Sequence, residues 1–74
     1  MEQTQSTTIP RFTKTLRYGS RGEEVKSLQN ALKIVSDGIF GINTENAVKD
    51  FQKLYKLNID GIVGPKTKSV LNSL

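Results

Sequence analysis

The chain has 74 residues, with no cysteine and no histidine. This length predicts a single domain with a small core, because so short a chain buries only about 60% of the surface that it exposes when unfolded. Disulfides, thiolate or imidazole zinc sites and nucleophile–histidine pairs are all excluded, and most hydrolytic chemistry with them. The formal net charge of +4 favours anionic partners without choosing among nucleic acid, acidic polysaccharide, cell wall and acidic lipid.

Residues 1–14 are polar, rich in Gln, Ser and Thr, and interrupted by Pro10. They show no helical or strand periodicity, which predicts a flexible arm ahead of a body over residues 15–74. Ile9 and Phe12 are large apolar groups of this arm that could dock on the body. No apolar segment typical of a signal peptide is visible, and no apolar run approaches the roughly 20 residues of a membrane span.

The first helix signal is Ser20 followed three residues later by Glu23, the spacing of a capping box. Apolar residues then recur at helical spacing, with acidic residues in the first turn and Lys33 in the last. We expect the first helix over residues 21–34, with Ser20 as its N-cap. Its predicted apolar face comprises Val25, Leu28, Ala31, Leu32 and Val35.

An internal repeat follows, since the stretch DGIFGINT at residues 37–44 returns as DGIVGPKT at residues 60–67, an offset of 23 residues. A helical pattern follows each copy, which predicts two stacked turn-plus-helix units. Pro65 suits the first position of a helix, so Gly64 is the expected N-cap, and Gly41 by symmetry. The second and third helices are predicted over residues 42–55 and 65–73.

Each Asp-Gly pair predicts a tight turn, because glycine accepts a positive φ and aspartate can bond the backbone two residues on. The same turn context argues against Asp37 and Asp60 as a pair of glycosidase carboxylates. The fold class is therefore all-α: a small three-helix bundle with two repeated Asp-Gly turn-plus-helix units and very short strands at the turns. The residues given structural roles in the turns are Asp37, Gly38, Gly41, Thr44, Asp60, Gly61, Gly64 and Thr67.

One ordered pattern runs through most of the body, from Leu16 to Leu74. Its members are Leu16, Arg17, Gly19, Ser20, Gly22, Val25, Leu28, Gln29 and Leu32, then Asp37, Gly38, Phe40, Gly41, Thr44, Ala47, Val48, Phe51 and Gln52, then Leu57, Asp60, Gly61, Val63, Gly64, Pro65 and Thr67. This pattern resembles the peptidoglycan-binding domain of the small three-helix type, found on bacterial and phage cell-wall hydrolases. Two departures stand out: the loop at residues 34–36 is short, and Lys56 replaces the usual glycine. A lysine held there in the left-handed region would cost about 1 kcal/mol relative to glycine.

The resemblance implies a non-catalytic module that targets or anchors a lytic enzyme or phage particle to the bacterial wall. The implied ligands are the glycan strand and stem peptide, bound in a shallow groove between the first helix and the two Asp-Gly loops. The implied partners are a catalytic hydrolase or a phage structural protein, with no cofactor, metal or membrane involved. The expected location is the wall or a phage particle, or the host cytoplasm before release.

Candidate ligand contacts follow from side-chain chemistry. An Arg17 guanidinium suits a carboxylate, and a Tyr18 ring suits a sugar face. The Gln29 amide suits sugar hydroxyls, although the same amide could instead satisfy the backbone of the neighbouring loop. Asn43 and Lys66 lie at predicted helix N-termini, where anionic groups are favoured. The full predicted contact set is Arg17, Tyr18, Gln29, Phe40, Asn43 and Lys66.

Two other functions are compatible with the sequence. An assembly protein, such as a phage component, could use the same fold to bind another protein. Nucleic-acid binding through a helix-turn-helix is less favoured, because the lysines are scattered and no helix N-terminus carries a cluster of base-reading side chains.

Overall fold

The computed structural model describes residues 12–74, and its regular structure consists of three helices. They are α1 (Glu23–Ala31), α2 (Ile42–Leu54) and α3 (Pro65–Ser73). The predicted all-α class is confirmed; α3 has its predicted bounds, α2 ends one residue early, and α1 is shorter at both ends. The short strand pairing expected at the turns consists of two isolated antiparallel bridges, Leu16 with Val63 and Arg21 with Ile39.

The predicted capping box at the start of α1 is wrong. Gly22 is the N-cap, and no side chain caps the helix. The Ser20 hydroxyl instead accepts a hydrogen bond from the Arg17 amide at 3.0 Å. The reason lies in the bridge that precedes the helix: the Gly22 amide donates to the Gly38 carbonyl at 3.0 Å, and Gly22 has a φ of 121°. A residue with a side chain rarely adopts that geometry, so glycine takes the cap position.

The N-caps predicted for α2 and α3 are confirmed as Gly41 and Gly64, both with extended backbone. Neither helix has a side-chain cap bond. Pro65 occupies the first turn of α3, where its missing amide proton leaves no intrahelical bond unmade.

The C-terminus of α1 ends in a Schellman motif, in which the Ile34 amide donates to the Gln29 carbonyl at 3.0 Å and the Lys33 amide donates to the Asn30 carbonyl at 3.1 Å. Lys33 takes the left-handed conformation with a φ of 61°. This reversal ends α1 before residue 34, the predicted end. It also places Val35 outside the helix, where its side chain is 80% exposed instead of on the predicted apolar face.

The C-terminus of α2 ends in the same motif, 23 positions later. The Leu57 amide donates to the Gln52 carbonyl at 2.8 Å, and the Lys56 amide donates to the Lys53 carbonyl at 3.2 Å. Lys56 has a φ of 58°, so it adopts the left-handed geometry considered for it from the sequence. Within residues 12–74, Lys33 and Lys56 are the non-glycine residues with positive φ.

The hydrophobic core draws on all three helices, both Asp-Gly units and the segment before α1. Phe12 is 2% exposed within it. The core cluster comprises Phe12, Leu16, Val25, Leu28, Phe40, Val48, Val63 and Leu71, with Ala31, Leu32 and Phe51 packed against it.

Phe12 is held by its backbone as well as its ring. Its amide donates to Asn72 Oδ1 at 3.0 Å, and Asn72 Nδ2 donates to its carbonyl at 3.2 Å. The next residues are held by α1, because Glu24 accepts bonds from the Thr13 amide at 3.1 Å and the Thr13 hydroxyl at 2.7 Å. Phe12, one of the two apolar residues of the predicted arm that could dock on the body, is therefore packed in its core; Ile9 and the rest of residues 1–11 lie outside the described residues. Over residues 12–74, no helix has the length and apolar character needed to cross a membrane.

Candidate functional site

The centre of the first Asp-Gly unit is the amide of Gln29, whose side chain is 1% exposed. Gln29 Nε2 donates to Asp37 Oδ1 at 2.9 Å and to the Ile39 carbonyl at 3.0 Å. It also lies 3.0 Å from Thr44 Oγ1, and Gln29 Oε1 accepts from the Gly38 amide at 2.9 Å. A primary amide carries two hydrogens, so three acceptors leave none for a ligand. Two roles were considered for Gln29, and the structure shows the second: its amide forms hydrogen bonds with the neighbouring Asp-Gly loop.

The second unit repeats this arrangement around Gln52, which is also 1% exposed. Gln52 Nε2 reaches Asp60 Oδ1 at 2.9 Å and the Ile62 carbonyl at 3.0 Å. Thr67 Oγ1 lies 3.1 Å from the same nitrogen, and Gln52 Oε1 accepts from the Gly61 amide at 2.9 Å. Each buried amide thus ties the C-terminal turn of one helix to the first turn of the next.

The two turn aspartates bond the backbone two residues on, as predicted. Asp37 Oδ1 accepts from the Ile39 amide at 3.0 Å, and Asp60 Oδ1 accepts from the Ile62 amide at 2.9 Å. These backbone bonds, and then the glutamine amides, lower the pKa of both carboxyl groups. A general acid needs a raised pKa, so neither aspartate is suited to protonating a leaving group.

The glycines that follow these aspartates are required by geometry. Gly38 has a φ of 77° and Gly61 a φ of 74°. A Cβ at Gly61 would lie 3.0 Å from Glu45 Cγ and 3.1 Å from Lys49 Cε, and one at Gly38 would lie 3.2 Å from Lys26 Cε. Both the conformation and the space therefore favour glycine at these positions.

Each network forms the floor of an open groove. The first groove has a volume of about 550 Å³ and extends from the Schellman turn of α1 to the first turn of α2. Val35 and Ile42 on its wall are 80% and 57% exposed. Its lining comprises Gln29, Lys33, Ile34, Val35, Asp37, Ile39, Gly41, Ile42, Asn43 and Thr44.

The second groove has a volume of about 380 Å³ and joins the end of α2 to the start of α3. Each of its lining residues lies 23 positions after a residue that lines the first groove. The lining comprises Gln52, Leu57, Asn58, Asp60, Ile62, Gly64, Pro65, Lys66 and Thr67.

The structure divides the predicted contact residues among different places. Asn43 lines the first groove and Lys66 the second. Arg17 and Tyr18 are exposed but line neither groove. Phe40 as a ligand contact is a wrong prediction, because its side chain is 1% exposed and packs in the hydrophobic core.

The sequence reasoning missed the exposed apolar wall of the first groove. The predicted apolar face of the first helix included Val35, and the 47% exposure of Ile39 was not predicted. Ile42 was read only as the start of a helix. The repeat contained a signal for this wall. When the two units are aligned, Ile39 matches Ile62 and Ile42 matches Pro65, so both units have apolar residues at the same two positions beside the polar turn.

Comparison with known proteins agrees with this geometry. The family model of the peptidoglycan binding domain matches residues 21–71, more than half of the chain. A Bacillus licheniformis protein named "Probable N-acetylmuramoyl-L-alanine amidase" is 58% identical over 38 residues, which are 51% of this chain and 11% of that protein. The chain therefore spans only a small part of the length of that curated relative.

Solved structures show the same fold. The Burkholderia AP3 phage endolysin is 45% identical with a TM-score of 0.78, over 81% of this chain and 25% of that one. A peptidoglycan-binding protein from Clostridioides difficile, solved in complex with glutamine hydroxamate, is 45% identical with a TM-score of 0.77, over 81% of this chain and 41% of that one. The SleB N-terminal domain is 36% identical with a TM-score of 0.77, and the match covers 81% of this chain and 90% of that domain.

The matched region includes both glutamine-centred networks and both Asp-Gly turns. The chain belongs to the peptidoglycan-binding domain family.

Proposed function

We propose that this chain is a non-catalytic module that binds peptidoglycan in the first groove and contacts both the glycan strand and the stem peptide. The observation that carries the proposal is the pairing of family membership with an open, apolar-walled groove on a hydrogen-bonded floor. Arg17 and Tyr18 stay in the proposal as contacts outside the groove, for a carboxylate and a sugar face respectively.

The groove suits a ligand that carries small apolar groups beside hydrogen-bonding groups. Val35, Ile39 and Ile42 offer exposed apolar surface. The Asn43 amide at the groove can donate to a carbonyl oxygen and accept from a hydroxyl or amide. Acetamido and alanyl groups of peptidoglycan combine such methyl and carbonyl groups. The first groove therefore matches the chemistry of both parts of this polymer.

A binding role without catalysis is supported by the carboxylates of the two grooves. Asp37 and Asp60 have lowered pKa values and accept bonds within their own turns. The sequence contains neither histidine nor cysteine to act as nucleophile or base. The catalytic partner in this proposal is a wall hydrolase, in line with the amidase and endolysin among the similar proteins.

The proposed location is the bacterial wall. The net charge of +4 concentrates the module on an anionic wall, and a shallow groove gives a single-site Kd of about 1 µM to 1 mM. Attachment to an enzyme or particle would raise the apparent affinity through effective concentration.

Co-sedimentation with purified sacculi tests the proposal. We expect binding at low and moderate salt, and we expect Val35→Glu to weaken it by about tenfold, since a charge would replace an apolar contact of about 1–2 kcal/mol. Leu54→Glu is the matched control, because Leu54 is 72% exposed and outside the first groove. Wild-type protein that stays in solution would contradict the proposal and favour the assembly-protein alternative.

A further inference from the structure

We propose that the second groove is a second binding site for the same polymer, so that one module holds two neighbouring parts of a peptidoglycan chain. This inference rests on the proposed function and adds a site and its ligand chemistry. Its starting point is that all the lining positions of the second groove are repeat equivalents of first-groove positions. A repeating protein surface is suited to a ligand that itself repeats.

The floors of the two grooves are equivalent in detail. The amide nitrogen of Gln29 lies 2.9, 3.0 and 3.0 Å from its three acceptors. The corresponding distances at Gln52 are 2.9, 3.0 and 3.1 Å. The helix before each groove also ends at a left-handed lysine, Lys33 or Lys56, which reverses the chain; Lys33 lines the first groove, whereas Lys56 does not line the second. Any ligand that fits the backbone frame of one groove therefore meets the same frame in the other.

The apolar wall is also repeated. Ile34, Ile39 and Ile42 in the first groove correspond to Leu57, Ile62 and Pro65 in the second, so three wall positions are apolar in both. Ile42 is more than half exposed, which means that burial in the protein's own core does not account for it. Apolar surface grouped around a groove marks binding more often than apolar residues scattered singly.

The two grooves differ at the second residue of the helix that borders them. Asn43 occupies this position in the first groove and Lys66 in the second, and both are exposed. Both side chains donate hydrogen bonds, but only the lysine carries a charge. Within residues 12–74, Lys66 has no ion-pair partner. Val35 in the first groove is likewise replaced by Asn58 in the second, which puts an amide where the first groove has an apolar side chain.

These differences assign the ligand groups. The first groove, which has Lys33 at the end of α1 and the Asn43 amide at the start of α2, takes an acetamido group and the adjoining stem-peptide residue, as in the proposed function. The second groove takes a peptide unit that ends in a carboxylate, which Lys66 binds as a charged donor while Ile62 and Pro65 contact the neighbouring methyl group. Both groups occur in one disaccharide-peptide unit of peptidoglycan, and they recur along the polymer.

An NMR titration with a soluble disaccharide-tetrapeptide tests the two-site proposal. We expect backbone amide shifts in two separate sets, residues 34–44 and residues 57–67. Asn43→Glu should abolish only the first set, and Lys66→Glu only the second. Glutamate is tolerated in the first turn of a helix, where the dipole favours a negative charge, so both variants keep the fold. Shifts confined to residues 34–44 would overturn the inference.

Sacculus binding provides the second readout. We expect Lys66→Glu to lower the apparent affinity at least about tenfold, because a bivalent contact becomes monovalent. Lys53→Glu carries the same change of charge at an exposed position outside both grooves. An equal loss in both variants would show a bulk charge effect and overturn the inference.

The outcomes separate this inference from the proposed function. If wild-type protein binds sacculi and only the first groove responds to the disaccharide-tetrapeptide, the second site is absent and the proposed function stands. If wild-type protein binds neither sacculi nor the fragment, the proposed function fails and the second site fails with it.

Discussion

The buried amide of Gln29 lies 3.0 Å from the hydroxyl of Thr44, fifteen residues further along the chain. This bond connects the last turn of α1 to the first turn of α2. The equivalent bond joins Gln52 to Thr67 at 3.1 Å and connects α2 to α3. The order of the helices in space is thus held by two polar contacts inside a small apolar core.

Removal of either glutamine amide should destabilise the protein. We expect Gln29→Ala and Gln52→Ala each to lower the free energy of unfolding by about 2–3 kcal/mol, because buried loop amides lose their acceptor. Urea denaturation followed by circular dichroism measures the change. Asn30→Ala, at the exposed neighbouring position of α1, is the control. A loss below about 0.5 kcal/mol at Gln29, a size usual for surface substitutions, would contradict the assigned role of its amide.

Gly61 should not tolerate a side chain. Gly61→Ala is expected to cost about 1–3 kcal/mol, since its φ of 74° disfavours alanine and the new Cβ would lie 3.0 Å from Glu45 Cγ. Gly64→Ala is the matched control, because Gly64 has extended backbone and no atom lies within 4 Å of the position that a Cβ would occupy. Thermal unfolding of the two variants compares them directly, and equal losses would be inconsistent with strain at Gly61.

Glycine at the left-handed lysines should stabilise the protein. We expect Lys33→Gly and Lys56→Gly each to raise the free energy of unfolding by about 0.5–1 kcal/mol through relief of the left-handed penalty. Lys53→Gly, inside α2, should instead lower it by about 1 kcal/mol. Chemical denaturation distinguishes the two signs. A loss of stability in Lys56→Gly would mean that the lysine stem contributes more by packing than its conformation costs.

The free energy of unfolding should fall in acid, because the two turn aspartates become protonated. Backbone bonds from the Ile39 and Ile62 amides hold the pKa of Asp37 and Asp60 below the usual aspartate range. A lowered pKa in the folded state adds stability above the unfolded-state value, about 3.9, and this stability is lost as the pH falls through the folded-state pKa. Urea titrations between pH 6 and pH 2 measure the slope.

Asp60→Asn should flatten that slope, because the asparagine amide does not titrate. Asp50→Asn is the matched control for loss of one carboxylate, since Asp50 is exposed on α2 and takes no part in either network. An equal flattening in both variants would contradict the role of the turn carboxylate.

The segment before α1 should be essential for stability. We expect Phe12→Ala to cost about 3–5 kcal/mol as a buried ring is removed from the core. In a domain of this size such a loss approaches the whole stability. Phe12→Leu, which keeps most of the volume, should cost less and still fold. Tyr18→Ala, at a 62% exposed position, is the control; a Phe12→Ala protein as stable as this control would contradict the docking of residue 12.

Local chemistry was sufficient to predict the parts of the fold that depend on neighbours in sequence. Gly64 and Pro65 placed the start of α3, and the two Asp-Gly pairs placed both turns, because their conformational preferences act within a few residues. The capping box at Ser20 failed because the Arg21–Ile39 bridge requires Gly22 at the cap. That bridge joins residues far apart in sequence, and no local pattern reveals it.

The turns and helix starts that form the candidate site could be predicted from the sequence, but its exposed apolar wall could not. Asn43 and Lys66, predicted as contacts because helix N-termini are visible in sequence, line the two grooves. Val35 was assigned to a buried face, since helical periodicity continued past the residue where Lys33 reverses the chain. A left-handed lysine carries no sequence signal comparable to that of glycine. Neither the end of α1 nor the exposed apolar wall beyond it could therefore be predicted from the sequence.

The reciprocal bonds between Phe12 and Asn72 join positions sixty residues apart, so the start and the finish of the described chain are neighbours. A peptide linker between these two segments would give a circular permutant whose new ends lie in the exposed loop around Val35. Such a permutant would keep the eight residues of the core cluster on one chain while opening the loop that carries part of the apolar wall of the first groove.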